Sequence, residues 1–406
     1  MAFRPDRLLI GAGLALALLA APVAAGPRED ARAGLARALA ALKKDDPRTA
    51  RIELMNAIKA DPSLAEARIV QARVLLMLGN GRGAQDELDR AAQLGAPLGP
   101  IRHLRAHAAL LNGDPEIAIR EAAATDADPK EVLFRTRIEA QAHQALGRHA
   151  ESAQTFDRAL SLAPNDSALW ADIARFNVAI GNMAVAQDAA DRALSLAPTS
   201  VDALTLKGVL ARDRYGLVES TRWFDAALKR NPDYVPALTE YAATLIDMGR
   251  AGKGLALTRR ALVLAPGLPR AFFLQALIAA RAGNYTLARS LLGRTRGALD
   301  GQAATRLLSG VLHMKTGNAT LAISELKPLL DAQPLNIRAR LLLARAYFAD
   351  GQYEDAEAAL FPLVERADAD TYALSLAAQI HDALEHLDIA ASFRARAAAM
   401  TPGRSL

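Results

Sequence analysis

Few side chains in this sequence have both the type and the spacing that chemistry requires. The chain has no cysteine, which excludes disulfides, cysteine-ligated zinc, iron–sulfur clusters and thiol catalysis. His103 and His107 are four residues apart, so they would share one face of a helix, and this spacing can bind a metal. No glutamate follows His103 and no third ligand is evident, so we interpret the pair as part of a polar surface.

Phosphate-binding loops and catalytic triads have equally little support. The glycines Gly79, Gly81 and Gly83 lie between two helical stretches and follow no strand. Residues 251–254 (Ala-Gly-Lys-Gly) lack the upstream glycine and the downstream Ser or Thr of a nucleotide-binding loop. No serine belongs to an arrangement with His and Asp. We therefore expect no enzymatic activity, no catalytic residue, no metal and no cofactor.

The composition predicts helices as the elements that position the remaining side chains. Hydrophobic residues make up 51% of the 406 residues but aromatic residues only 5%, so the apolar mass is mostly Ala and Leu, which favour helices. Charged residues, at 23%, are typical of folded protein. The net charge of +5 comes from 49 basic and 44 acidic residues, a near balance that makes a nucleic acid partner improbable.

The N-terminal segment has the pattern of a secretory signal peptide over residues 1–25. Two arginines precede an apolar run over residues 8–21, and the small residues Val23 and Ala25 follow. This run is short for a bilayer-spanning helix, which needs about 20 residues. We expect cleavage after Ala25 and a periplasmic or secreted protein without a membrane span; an uncleaved N-terminal anchor is the alternative.

Prolines set a period of 34 residues along the rest of the chain. Seven of them fall on one series: Pro62, Pro164, Pro198, Pro232, Pro266, Pro334 and Pro402. The frame gives eleven units without insertion over residues 31–404, after a short lead-in at residues 26–30. A repeat of this length predicts a solenoid of stacked supersecondary units.

Three columns of small residues test this frame independently. Positions 8 and 20 hold Ala, Gly or Ser in all eleven units, and position 15 is Gly in eight of them. The pattern therefore predicts that each unit holds two helices of about 14 residues, and that a glycine in a left-handed conformation ends the first. The small residues let the paired helices approach closely. Asp45, Tyr215 and Glu385 replace the glycine in three units.

The pattern resembles the tetratricopeptide repeat (TPR) family over nearly the whole mature chain. The fullest match is the unit that carries Trp170, Ala174, Gly181, Ala186, Ala193 and Pro198. The resemblance implies an all-α, right-handed superhelical solenoid of about eleven 34-residue helix-turn-helix units, with the first helices lining a concave groove. Thr295 and Asp300 replace the late alanine and proline of one unit, so its second helix should end differently.

Positions 2, 5, 9, 12 and 13 of each unit commonly face the groove in this family. These columns carry an excess of about six positive charges, against about four for the mature chain, which favours an anionic or carboxylate-rich partner. The same charge excess would arise if these were ordinary solvent-exposed helix residues without a role in binding. The Lys and Asn pair with which some TPR proteins hold a chain-terminal carboxylate is absent. The residues expected to contact a partner are Arg73, Phe134, Arg137, Gln141, Arg175, Arg270, Phe273, Arg338, Arg345 and Phe348.

The expected function is that of an exported adaptor or scaffold that binds partner protein segments in its groove. Resemblance to exported TPR proteins suggests envelope assembly or polysaccharide export as the pathway. The alternative is an accessory subunit that positions substrate for a separate transferase enzyme. A homo-oligomer through the terminal unit is a third expectation, because no residues remain to form an extra solvating helix after that unit.

Overall fold

The structure, a computed structural model, describes residues 26–44, 46–366 and 368–400. These residues form 22 α-helices, and consecutive helices pair as hairpins from α1–α2 to α5–α6 and from α9–α10 to α21–α22. The expectation of an all-α solenoid of eleven two-helix units is thereby confirmed for the part of the chain described. The expected signal peptide at residues 1–25 and Asp45 lie outside these residues. Among the described helices, none combines the length and the hydropathy needed to cross a bilayer.

Odd-numbered helices are the first helices of the hairpins and even-numbered helices are the second. Short 3₁₀ segments, Gly99–Ile101 and Pro129–Glu131, precede α5 and α7. The helices are α1 (Pro27–Leu42), α2 (Pro47–Ala60), α3 (Ala65–Met77), α4 (Gly81–Gln93), α5 (Arg102–Asn112), α6 (Pro115–Ala122), α7 (Val132–Ala145), α8 (His149–Leu162), α9 (Ser167–Ala179), α10 (Met183–Leu196), α11 (Val201–Tyr215), α12 (Leu217–Arg230), α13 (Val235–Asp247), α14 (Ala251–Leu264), α15 (Pro269–Arg281), α16 (Tyr285–Gly293), α17 (Ala303–Lys315), α18 (Ala319–Ala332), α19 (Ile337–Ala349), α20 (Tyr353–Val364), α21 (Thr371–Ala383) and α22 (Leu387–Met400).

Two compact units divide the chain, Met1–Ala142 (unit 1) and His143–Leu406 (unit 2). Buried apolar residues in each unit form a series of small clusters between neighbouring hairpins, as stacked repeats require. Helix α1 begins at Pro27, so most of the expected lead-in at residues 26–30 is helical. A single continuous array over residues 31–404 stays a prediction.

Local capping explains where many first helices begin. Eight of the eleven start at the first position of the 34-residue frame. The preceding residue often caps the helix, because its side chain accepts a hydrogen bond from a backbone N–H of the first turn. Asp166 accepts from Leu169 N at 2.7 Å, and Asn336 accepts from Ala339 N at 3.0 Å. The frame is therefore encoded by short polar residues as well as by proline.

Position 15 ends the first helices as expected. The eight glycines there have φ values between +70° and +84°. Where Tyr215 replaces the glycine, α11 runs two residues past the usual end of a first helix, and Gly216, with φ +93°, ends it. Glu385 instead takes the left-handed conformation itself, with φ +62°. Where position 15 is not glycine among the described residues, the left-handed residue is thus either the next residue, as after α11, or the substituted residue itself, as after α21.

Small, buried residues recur at two positions of every 34-residue repeat. The residues at positions 8 and 20 are buried in all eleven units. The second helix α16 ends at Gly293 after nine residues, which makes it one of two short second helices with α6, which has eight. Thr295 is buried beyond that end, and its hydroxyl donates to Leu292 O at 2.7 Å. The expectation that this second helix ends differently from most others is confirmed.

Candidate functional site

Three clefts open on the face formed by the first helices. The unit 1 cleft, about 310 Å³, lies among α3, α5 and the start of α7. In unit 2, a polar cleft of about 370 Å³ follows α9, α11 and α13, and an apolar cleft of about 420 Å³ follows α13, α15 and α17. Arg270 lines both clefts of unit 2. The first-helix face is therefore the candidate binding surface in each unit.

An aromatic and imidazole cluster forms the wall of the unit 1 cleft. The ring of Phe134 lies 5.6 Å from the rings of both His103 and His107, in edge-to-face geometry. Leu104 and Met77 supply apolar surface beside it. The four-residue spacing of the two histidines thus places them against Phe134, as part of the cleft.

Charged groups occupy the same cleft without neutralising one another directly. Arg73 is exposed, and among the described residues it makes no hydrogen bond or ion pair. A Glu131 carboxylate oxygen lies 4.0 Å from Nε2 of His103. His103 is 6% exposed, and its Nδ1 is buried with no hydrogen-bond partner in the described part of the chain. The cleft therefore holds one unpaired cation and one unsatisfied polar group.

Both imidazoles are neutral at neutral pH because of their surroundings. Burial lowers the pKa of His103, against an opposing effect of Glu131, and the positive charge of Arg73 lowers it further. Burial also lowers the pKa of His107 to about 4, assisted by the positive charge of Arg137. Each ring can therefore donate one hydrogen bond and accept one.

Arg137 and Gln141, both expected to contact a partner, lie on α7 and are half-buried. Neither lines the unit 1 cleft, although Arg137 acts on His107 through its charge. The structure thus brings Arg73 and Phe134 together in one cleft and leaves these two residues beside it.

Carboxylates already pair with the arginines of the polar cleft. Arg175 donates from Nη1 to Asp172 at 2.9 Å and from Nη2 to Asp202. The hydroxyl of Tyr234 donates to the same Asp202 at 2.9 Å, and burial, with the negative charge of Asp202, raises the pKa of that hydroxyl well above its usual value. Arg175 is therefore held within the protein and is only partly free to meet a ligand.

Glu240 pairs with two further arginines at the other side of the polar cleft. Its carboxylate lies 3.2 Å from Arg212 Nη1 and 3.5 Å from Arg270 Nη2. Glu240 and Asp172 occupy position 6 of their 34-residue repeats, which is not one of the five positions whose charges were counted in the sequence. The positive excess expected for the groove is largely offset in this part of unit 2.

Aliphatic side chains dominate the apolar cleft. Leu277, Leu307 and Val311 line it and are half-buried, so part of their surface stays uncovered. Phe273 is only 5% exposed and belongs to the core beneath the cleft, so it offers a partner little of its ring. Arg270 lies at the edge, with its guanidinium 5.9 Å from the Phe273 ring.

The three remaining candidates lie outside these clefts. Arg338 is exposed and has no hydrogen bond or ion pair within the described residues. Arg345 Nη1 donates to the Tyr372 hydroxyl at 2.9 Å. Phe348 is half-buried against the core of the last hairpins, with its ring 5.7 Å from that of Tyr353. These side chains do not share a cleft with Arg175, which is also in unit 2.

Sequence reasoning missed several carboxylates that shape the clefts. Position 6 is three residues before position 9 and lies on the same helix face. Adding position 6 to the five groove positions would therefore have found Asp172 and Glu240. Glu131 lies at position 33, in the turn before α7, and no column of the repeat indicates it.

Comparison with known proteins gives matches to family models and to solved structures. Family models described as tetratricopeptide repeat match residues 313–380 in one case and residues 103–167 and 139–201 in another. No curated protein matches the sequence.

Among solved structures, the APC/C hetero-tetramer Cut9–Hcn1 has a TM-score of 0.54 at 12% identity and covers 92% of this chain and 88% of its own. PilW, titled a widely conserved type IV pilus biogenesis factor, has a TM-score of 0.41 at 22% identity over 52% of this chain and 99% of its own. A tetratricopeptide repeat protein from Parabacteroides merdae has a TM-score of 0.38 at 19% identity over 59% and 94%. The likeness to Cut9–Hcn1 is one of fold. The matched family models identify tetratricopeptide repeats at residues 103–201 and 313–380.

Proposed function

We propose that this protein is an exported, non-enzymatic scaffold that holds partner protein segments on its first-helix face. TPR proteins bind protein partners, and the matched repeats support this coarser role. Export is supported by the sequence pattern of residues 1–25.

The apolar cleft of unit 2 carries the proposal. Leu277, Leu307 and Val311 present uncovered aliphatic surface between three successive first helices. Concave apolar surface with a few polar groups at its edge is typical of binding sites, and a side chain placed there would be removed from water. Arg270 at the edge and Arg281, whose Nη2 lies 2.9 Å from Asp247, would orient the segment that supplies the side chain.

Site-specific photo-crosslinking in the native host tests partner binding. The full chain would carry p-benzoyl-phenylalanine in place of Leu307 inside the cleft, or in place of Val263, which is exposed on the second helix α14, as the control. We expect a discrete protein adduct from position 307 only, and at least tenfold less of it when Leu277→Asp is added. Equal adducts from both positions, or an adduct insensitive to Leu277→Asp, would contradict the proposal.

Cell fractionation and N-terminal sequencing test export. We expect the mature protein outside the cytoplasm with Gly26 as its first residue. A cytoplasmic protein that keeps residues 1–25 would remove the exported part of the proposal. An adduct whose partner is a transferase that depends on this protein for activity would favour the accessory-subunit alternative.

A further inference from the structure

We propose that the unit 1 cleft is a second binding site, specific for a protein segment in which Asp or Glu adjoins a large apolar side chain. This inference deepens the proposed function and rests on it, because it assigns a partner chemistry to a different cleft on the same face. Its elements are an unpaired cation, an apolar wall and an unsatisfied imidazole, all within unit 1.

The cation is Arg73 on α3. It is exposed at the cleft and, among the residues that the structure describes, has no acidic partner. This distinguishes it from three arginines of unit 2, which each contact a carboxylate within unit 2: Arg175, Arg212 and Arg270. A guanidinium that is not already paired can give its full fork of donors to an incoming carboxylate.

The apolar wall lies directly beside that cation. Met77 is one helical turn after Arg73 and shares its face of α3. Its side chain is 53% exposed, and Phe134 and Leu104 line the cleft with it. A ligand side chain placed against Met77 and Phe134 would therefore hold a neighbouring carboxylate within reach of Arg73.

His103 supplies a polar group that nothing in the described chain satisfies. It lines the cleft, its side chain is more than nine-tenths buried, and its Nδ1 has no partner. Buried polar atoms in folded proteins nearly always have a hydrogen-bond partner. Nδ1 has almost no solvent-accessible surface, so a bound segment would satisfy it only by displacing the side chains that cover the ring.

Glu131 limits the charge that the cleft can accept. It lines the cleft with Arg73, without pairing with it, so the cleft holds one negative charge as well as the cation. A singly charged carboxylate gains from Arg73 without strong repulsion from Glu131, whereas a phosphate dianion would be repelled more strongly. The Lys and Asn positions that hold a chain-terminal carboxylate in some family members are absent, so we assign the charge to an Asp or Glu side chain within the segment.

Capped peptides on an array test this specificity against the full-length protein. Each large apolar residue would precede Asp, Glu, Asn or Gln in a constant Gly-Ser host, and the tightest binder would be measured by fluorescence polarisation. We expect the acidic peptide to bind at least tenfold more tightly than its amide counterpart. Arg73→Gln should remove that preference and leave the amide peptide within twofold of wild type.

Two variants control the measurement. Arg338→Gln removes another exposed, unpaired first-helix arginine, in unit 2, and should leave the affinity unchanged. Phe134→Ala should weaken the acidic and amide peptides alike, with helix content checked by circular dichroism. Phe134→Leu is the milder change if the alanine variant does not fold.

Several outcomes would overturn the inference. Equal binding of acidic and amide peptides would do so, as would an acid preference that persists in Arg73→Gln. So would a phosphoserine peptide that binds more tightly than the Asp peptide, or binding that needs a free C-terminus. The absence of binding by any peptide would also contradict it. The crosslink from position 307 tests the proposed function separately. If that crosslink forms and the acidic peptides fail, the inference is wrong and the scaffold proposal stands.

Discussion

Phe224 occupies the space that a side chain at Gly208 would need. Gly208 lies on α11 and the fully buried Phe224 on α12 of the same hairpin, and a Cβ added to the glycine would lie 2.6 Å from the phenylalanine ring. Gly310 and Leu326 repeat this relationship at the same two positions of another hairpin, with a contact of 2.7 Å. In these two hairpins the large side chain at position 24 fills the space that a Cβ at position 8 would need.

We expect Gly208→Ala to destabilise the protein despite its better helix propensity. Overpacking a filled core costs about 1–3 kcal/mol, while replacing glycine by alanine within a helix gains at most about 1 kcal/mol. The clash should therefore decide the sign. Urea unfolding followed by Trp fluorescence measures the change, because Trp170 and Trp223 both lie in unit 2.

Two further variants separate the clash from any general effect of glycine. Gly252→Ala changes a glycine at the start of α14 with open space around its Cβ position and should not destabilise. Phe224→Leu combined with Gly208→Ala should cost less than the sum of the two single changes. Additive effects would show that Gly208 and Phe224 are not coupled as described.

The sequence predicted most of the fold because its signals are local. Proline, the left-handed glycine and capping residues such as Asp166 act within a few residues of the helix ends that they fix. The small residues at positions 8 and 20 report the contact within one hairpin. The different end of α16 was predicted for the same reason, from Thr295 and Asp300 nearby.

The candidate site was predicted less well because it depends on contacts between hairpins. The pairing of Arg175 with Asp202 joins residues 27 positions apart, and the pairing of Arg212 with Glu240 joins residues 28 apart. Such contacts depend on how successive first helices stack, which columns alone do not fix. The columns include Arg73, Phe134, Arg175 and Arg270, which line clefts, while the pairing that offsets the arginine charges needed coordinates.

Glu385→Gly should stabilise the last hairpin. Glu385 has φ +62°, a conformation that costs an L-residue roughly 1–2 kcal/mol and costs glycine little. The greater freedom of glycine in the unfolded chain offsets part of the gain, which leaves about 0.5–1 kcal/mol. Slower amide hydrogen exchange in α21 and α22 would register it.

Glu385→Ala is the matched control, since alanine removes the carboxylate but keeps the Cβ. We expect no stabilisation from it. Gly351→Ala, at the same position of the preceding hairpin with φ +79°, should destabilise. Equal effects of glycine and alanine at position 385 would assign the change to the lost charge instead of the backbone.

Acid should destabilise unit 1 through His107. Burial holds the pKa of this imidazole near 4 in the folded protein, below its ordinary value of 6.5. Between these values the unfolded chain binds more protons than the folded one, so stability falls as the pH drops from 6.5 towards 4. The full loss is about 3 kcal/mol, and the lowered pKa of His103 adds to it in the same direction. Urea unfolding followed by circular dichroism at pH 7.5 and pH 5 measures this loss.

His107→Gln should flatten this pH dependence, because it removes the titrating group and keeps a polar side chain of similar length. NMR titration of the imidazole Cε1–H signals in the folded protein measures the two pKa values directly. A His107 signal that titrates near 6.5 would contradict the burial effect, as would an unchanged pH dependence in the variant.

Arg175 should matter for stability more than for ligand binding. Arg175→Gln leaves the buried carboxylate of Asp172 and the partly buried one of Asp202 each without one cationic partner, which we expect to cost about 1–3 kcal/mol. Arg338→Gln, the control, removes an exposed arginine with no ion pair among the described residues and should change stability by less than about 0.5 kcal/mol. Adding Asp202→Asn to Arg175→Gln should recover part of the loss, because it removes one uncompensated carboxylate. Thermal and urea unfolding of the four proteins test this, and equal costs for the two arginine changes would show that the network around Asp202 does not stabilise the fold.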